Sequence, residues 1–337
     1  YTGQTIFLLL TVCSMNRKLV CVLGAALVLS ACGGDGESLF GETPSASFPI
    51  TSSNGAATVR VAWESATGSG ALANVGAGAG LTGSAPGAQT IAAQAPSPED
   101  IVIDVISLLP FGPESFGCAG GTGTATLSGN IADPNTLSRD DTFRIEYDMC
   151  DDGAGTVIDG LVEMRIVEFT GDVFLGTFQV VADTLVDSLS VTAAGETVTG
   201  SGDARVTIDT TRAPFVSTGV LGNSLTQTTS VSTGSLTNYA TSLTYDGNQV
   251  PAELTTGASG TIDSSLLPGS IDYSTEVTFA AFFGSYPHTG TFLVEGDNST
   301  ARLVAVDAEN VRIDIDSDGD GTVDEMLEMT WDELLNG

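Results

Sequence analysis

The feature that most constrains this chain is a two-residue rhythm that begins near Thr122 and runs almost to its end. In "TFRIEYDM", Phe143, Ile145, Tyr147 and Met149 alternate with Arg144, Glu146 and Asp148. "IDYSTEVTF" repeats the pattern with Ile271, Tyr273, Val277 and Phe279, and "VRIDI" with Val311, Ile313 and Ile315. Successive side chains of a strand point to opposite faces, so this alternation builds strands with one apolar and one wetted face. Gly, Asn or Asp breaks the rhythm about every eight to twelve residues, the punctuation of hairpins. About twelve to fifteen strands are predicted between 122 and 333.

An apolar face of that size needs a cover. The fold expected is mainly β: a long antiparallel meander forming a curved sheet, sandwich or half-barrel, with one or two short N-terminal helices packed on it. "AATVRVAWESA", 56–66, predicts one short helix, and Thr67 to Ser97, with seven glycines, a mobile loop. "SPEDIVIDVISLLP" predicts a helix over 98–109, with Ser97 as cap, Pro98 at the first helical position and Glu99 and Asp100 at the positive end of the dipole. Only Asp104 and Ser107 are polar beyond that turn, so this helix would be covered on nearly every side, in the concavity of the sheet. Its run Ile101-Val102-Ile103 equally suits a buried strand.

Charge excludes one class of partner. The chain has 42 acidic and 10 basic residues, and from Cys32 onward 8 arginines, no lysine and all 42 acids, so 8 − 42 = −34. Such a surface repels phosphate backbones, which excludes nucleic acid, and it suits a salty habitat. Hydrophobic residues still make up 42%, enough for a core rather than a disordered chain.

"MNRKLVCVLGAALVLSACGG", from Met15, has the three zones of an export leader: Arg17 and Lys18, an apolar run from Leu19 to Leu29, then Leu29-Ser30-Ala31-Cys32. The run of eleven residues is too short to span a bilayer, which takes about 20. Its last four residues resemble the lipobox of bacterial lipoproteins, the class cut by signal peptidase II. The resemblance covers 15–33 and implies that Cys32 becomes the first mature residue, with palmitate-type acyl chains on its sulfur and its new amino terminus. Each buried CH₂ is worth about 0.8 kcal/mol, so several chains anchor stably. Gly33 stands where Asp favours inner-membrane retention in that class, which implies the outer membrane. The expected organisation is 1–14 as spurious upstream translation, 15–31 as signal peptide, 32–54 as flexible tether, 55–110 as a helical and Gly/Ala-rich segment, and 118–335 as the antiparallel β domain.

Removal of Cys13 and Cys21 and acylation of Cys32 leave Cys118 and Cys150 in an oxidising compartment, where a structural disulfide is expected.

"IDIDSDGDGTVDEM" is the candidate metal site. Begun at Asp314, D-x-D-x-D-G-x₅-E is met by Asp314, Asp316, Asp318, Gly319 and Glu325. Begun at Asp316, the pattern reads D-x-D-G-D-G-x-x-D. "VRIDI" before and "EMLEMTW" after alternate as strands, so this is no EF-hand. It resembles the D-x-D-G-D-G loops that bind calcium between non-helical segments of secreted and extracellular proteins. That implies carboxylates from Asp316, Asp318, Asp320, Asp324 and Glu325 and the Thr322 carbonyl as ligands of a structural calcium, with Gly319 and Gly321 at positive φ. The whole chain also resembles a group of bacterial lipoproteins ending in such a hairpin.

Catalytic signatures are absent from the sequence: no G-x-S-x-G, no H-E-x-x-H, no Cys/His zinc spacing and no Gly-Lys phosphate loop. The single histidine, His288 in "SYPHTG", reads as a turn residue, and Phe279, Phe282, Phe283 and Tyr286 as core. The function expected is therefore a non-enzymatic, outer-membrane-anchored lipoprotein on the periplasmic face or the cell surface, with an envelope structural or binding role and an envelope protein or lipid as partner. A carrier of an apolar ligand in a half-barrel pocket is the alternative, and a hydrolase with two carboxylates a third reading.

Overall fold

The computed structural model describes residues 48–76 and 113–336, except 119, 133–136, 152–155, 173–176, 194–195, 213–214, 230–231, 249–250 and 283–284. The expected leader, Cys32, most of the tether and the 98–109 helix lie outside the described residues.

Among the described residues, fourteen strands follow one another in a single antiparallel sheet whose spatial order is the chain order: β1 (Glu114–Gly117), β2 (Thr124–Asn130), β3 (Thr142–Asp151), β4 (Thr156–Asp172), β5 (Thr177–Ala193), β6 (Glu196–Asp209), β7 (Phe215–Thr228), β8 (Thr233–Asp246), β9 (Glu253–Ser264), β10 (Ile271–Phe282), β11 (Pro287–Gly296), β12 (Ser299–Ala305), β13 (Asn310–Asp316) and β14 (Glu325–Thr330). The helix α1 (Gly55–Gly76) precedes them and the short α2 (Trp331–Asn336) follows. Strands β5 to β9 and also β12 and β13 contact α1. One helix reaches both halves of the sheet only if the sheet curls around it. The meander is therefore curved, and among the described residues α1 lies in its concavity.

Helix α1 starts where Asn54 folds the chain into a turn. Its side-chain oxygen accepts the Thr51 N–H at 2.7 Å, its amide donates to the Pro49 carbonyl at 3.1 Å, and its own carbonyl accepts the Thr58 N–H at 2.8 Å. Glycine follows because a Cβ at position 55 would lie 2.6 Å from Ile315 Cδ1 on β13. Val59, Ala62, Trp63 and Ala66, at i, i+3, i+4 and i+7, are buried and face the sheet. Where a loop was expected from Thr67, the helix continues to Gly76. Propagation from an existing nucleus adds a bond per residue, and Ala71, Leu72 and Ala73 favour it. Gly68 and Gly70, at about 1 kcal/mol each, do not stop it.

The core centres on Trp63, whose ring meets Phe279 (4.5 Å between centroids), Trp331 (5.5 Å) and Phe292 (5.6 Å). Trp331 opens α2 and donates its indole N–H to the Pro287 carbonyl at 3.1 Å. Thr330 and Glu333 form a reciprocal capping box: the Glu333 N–H donates to Thr330 Oγ1 at 3.1 Å, and the Thr330 N–H to Glu333 Oε2 at 2.8 Å. Strand alternation therefore ends at Thr330, and Trp331 reaches the core from a helix.

Period-two alternation describes most strands. Val311, Ile313 and Ile315 are buried, as are Phe143, Ile145, Ile271, Tyr273 and Phe279. Two expected core residues are not. Met149 is 54% exposed because the β3–β4 register shifts between Tyr147 and Cys150, where Met149 takes φ +47°. Val277 is 53% exposed between two register shifts in β10. A bulge adds a residue and turns the following side chain to the other face.

Ion pairs cross the outer face. Asp183 accepts from Arg165 at 2.7 Å and Arg205 at 2.8 Å, and Glu276 takes both Nε and NH2 of Arg302 at 2.6 and 3.0 Å. These guanidinium bonds, from Arg205 first for Asp183 and from Arg302 for Glu276, hold both carboxyls below their usual range. A lowered carboxylate stabilises the fold fully above its unfolded pKa of about 4, and that contribution disappears as pH falls through the folded value. Urea melts across a pH series should therefore show stability declining below about pH 4.5, with a smaller decline in Asp183→Asn.

Candidate metal centre

Strand β13 ends on Asp316 and β14 begins at Glu325, so the acidic loop closes a β-hairpin, sealed by the Asp324 N–H donating to the Ile315 carbonyl at 2.8 Å. The loop winds around Asp316, which is buried. Its Oδ1 accepts the Gly319 N–H at 2.7 Å and its Oδ2 the Gly321 N–H at 2.8 Å. Both glycines take the left-handed conformation, φ +71° and +86°. At Gly319 a Cβ would also lie 2.8 Å from the Asn298 carbonyl oxygen in the β11–β12 turn.

Bonds within the loop also set the remaining carboxylates. Asp318 Oδ1 accepts the Asp320 N–H at 3.2 Å, and Asp320 Oδ1 accepts the Thr322 N–H at 2.7 Å. Asp324 Oδ2 receives the Ser317 hydroxyl at 2.5 Å and the Ser317 N–H at 2.9 Å. These two donors, the hydroxyl first, hold the Asp324 carboxyl below its usual range, so it stays ionised in mild acid.

Asp316, Asp318 and Asp324 converge, each offering a carboxylate oxygen within 4.8 Å of the others, and this acidic triad could hold a metal ion. Asp320 and Glu325 stand outside the triad; Asp320 caps Thr322, and Glu325 pairs across the ladder with Ile315. Asp314, first in the EF-hand register, is engaged elsewhere: Arg312 donates to both its oxygens, at 2.7 and 2.9 Å. The convergent set thus follows the register that begins at Asp316. Hard oxygen donors without nitrogen or sulfur suit an alkaline-earth cation better than a transition metal.

The other candidate residues fall apart from this loop. Cys118 and Cys150 form a disulfide with Cα atoms 5.4 Å apart, joining the end of β1 to β3 across β2. Cys150 thus lies within the third strand. His288 is in strand β11 and not in a turn: its ring stacks on Phe282 at 4.6 Å, and Nε2 lies 3.5 Å from Glu253 Oε1. Of the four aromatics assigned to the core, Phe279 packs on Trp63 and Tyr286 on Trp331; Phe282 is not core but exposed, its ring stacked on His288 at the end of β10, and Phe283 lies outside the described residues.

One neighbour of the loop escaped the sequence reading. The β11–β12 turn, Asp297-Asn298, touches Gly319 and also holds the incoming chain: the Asp297 N–H donates to the Phe48 carbonyl at 2.8 Å, and the Ile50 N–H to Ser299 Oγ at 2.6 Å. The D-N pair is a turn signal, but contacts 249 residues apart leave no local pattern.

Comparison with known proteins found no matching family model, no similar curated protein and no similar solved structure.

Proposed function

We propose that this chain is a lipoprotein anchored to the outer membrane through Cys32, whose β domain, tied by the Cys118–Cys150 disulfide and by calcium in the β13–β14 loop, has a non-enzymatic structural or binding role in the envelope. The observation that carries the reading is the order of charge, apolar run and Leu29-Ser30-Ala31-Cys32 at the head of a chain that folds into one acidic meander. Among the described residues no helix is long and apolar enough to cross a membrane. Mass spectrometry of the native protein is expected to find acyl mass on a chain beginning at Cys32, and Cys32→Ala should release the domain from the membrane fraction. An unmodified thiol at that residue sinks the reading.

Calcium suits the triad as an oxygen-only site, and extracellular sites of this type bind at about 10⁻⁴–10⁻³ M. At 10 mM calcium, such affinities stabilise the folded state by about 1.4–2.7 kcal/mol. Thermal melts should therefore shift upward by several degrees with calcium, far less with the same concentration of magnesium, and not at all in Asp318→Asn. Asp318 is the variant of choice because its one long bond, 3.2 Å to Asp320, makes it the least structural of the three.

A second reading, a carrier of an apolar ligand, has its own support. The indole N–H of Trp63 and the hydroxyl of Tyr273, whose rings both pack on Phe292, are buried and find no hydrogen-bond partner among the described residues. A ligand with a polar head would satisfy such groups. Stoichiometric lipid in extracts of the native protein would favour this reading over the first.

A further inference from the structure

We infer that the end of the sheet carrying the β11–β12 and β13–β14 turns is the face this domain turns toward the bilayer, and that it meets anionic headgroups as a like charge; the inference rests on the acyl anchor proposed at Cys32. The chain joins the sheet at one corner. Phe48 and Ile50 are buried there, bonded to Asp297 and Ser299, and a Cβ on Gly296 would lie 2.7 Å from both the Phe48 carbonyl and Ile50 Cγ1, so this contact has no slack. The same turn abuts Gly319 of the acidic loop through Asn298, and Ile315 beside that loop abuts Gly55 at the start of α1. The acidic loop therefore sits where the chain arrives from its anchor.

Sixteen Cα-to-Cα steps separate Cys32 from Phe48, a reach of at most about 55 Å. The turn at the opposite end, residues 306–309, lies one strand farther, and the seven residues of β13 span about 23 Å. The near end presents Asp297, Asp318, Asp320 and Asp324 exposed, and neither 295–300 nor 316–325 contains a lysine or arginine. A negative headgroup surface attracts basic segments and repels acidic ones, over a Debye length of about 30 Å at 0.01 M salt and about 8 Å at 0.15 M. Low salt thus holds the domain off an anionic bilayer at the limit of its tether, and added cations let it settle with the acidic turns downward.

The test uses the full native lipoprotein on phosphatidylglycerol-containing vesicles with acceptor-labelled headgroups, carrying a donor dye at Val323→Cys or Val306→Cys. Both positions are exposed, 42% and 55%, and neither is a carboxylate of the loop. Energy transfer from position 323 should exceed that from 306 by about twofold or more, given a strand's length between them. Both signals should rise as salt goes from about 10 mM to about 0.15 M. Equal transfer, stronger transfer from 306, or no response to salt overturns the inference. Mass spectrometry of residue 32 on the same sample separates the two failures. An unacylated Cys32 overturns the anchor and the inference together, while an acylated Cys32 with 306 nearer the lipid overturns the orientation alone.

Discussion

Trp63→Ala will lower the unfolding free energy by about 3–5 kcal/mol, the range for truncating a fully buried tryptophan. Trp63 is 3% exposed and is the contact through which α1 reaches Phe279 on β10, Phe292 on β11 and Trp331 of α2. Its removal deletes packing on three rings at once, edge-to-face on Phe279 and Phe292 and tilted on Trp331, and opens a cavity that the flanking Val59 and Ala66 are too small to fill. Trp63→Phe separates packing from hydrogen bonding. It keeps an aromatic ring and discards an N–H that has no acceptor among the described residues, so its cost should fall well below that of alanine. Urea denaturation followed by far-UV circular dichroism measures both. A loss under about 1 kcal/mol for the alanine variant would mean that α1 is not a core element of the sheet.

The second large effect is expected from the disulfide. Cys118→Ala with Cys150→Ala should cost on the order of 3–4 kcal/mol in the chain-entropy model, since the cysteines are 32 residues apart. The bridge ties down a weak edge. Strand β1 is four residues long and, among the described residues, pairs with β2 alone. Backbone bonds near the bridge, from the Gly120 N–H to the Asp151 carbonyl and from the Asp151 N–H to the Thr122 carbonyl, should open first, giving faster amide exchange at 115–127 than in β5 or β6. Denaturation with and without a thiol reductant measures the global term. Unchanged stability would show that this edge is already frayed in the native state.

How far the sequence could be read depended on the range of the interaction. Alternation in "VRIDI" and the first half of "TFRIEYDM" identified buried faces because a strand's period is a property of its own backbone. Met149 and Val277 broke the rule where the partner strand imposed a register shift, which no residue of either segment announces. The Thr330–Glu333 box is a local signal too, but the alternation of Leu327, Met329 and Trp331 hid it, and the sequence reading carried the strand one residue into α2.

The acidic loop is local in the same way. Its aspartates and its glycines at positive φ follow from the hairpin's own chain, and so does the pairing of Asp314 with Arg312 two residues before it, which leaves the register that begins at Asp316. By itself the sequence determined that this protein is a long antiparallel meander with an acidic hairpin near its end, because pleat, turn chemistry and charge are written within a few residues of one another. Only the tertiary structure decided that α1 lies in the concavity of the sheet and that the incoming chain is pinned beside the acidic loop. Those outcomes depend on contacts between residues hundreds of positions apart, whose energies no local pattern encodes.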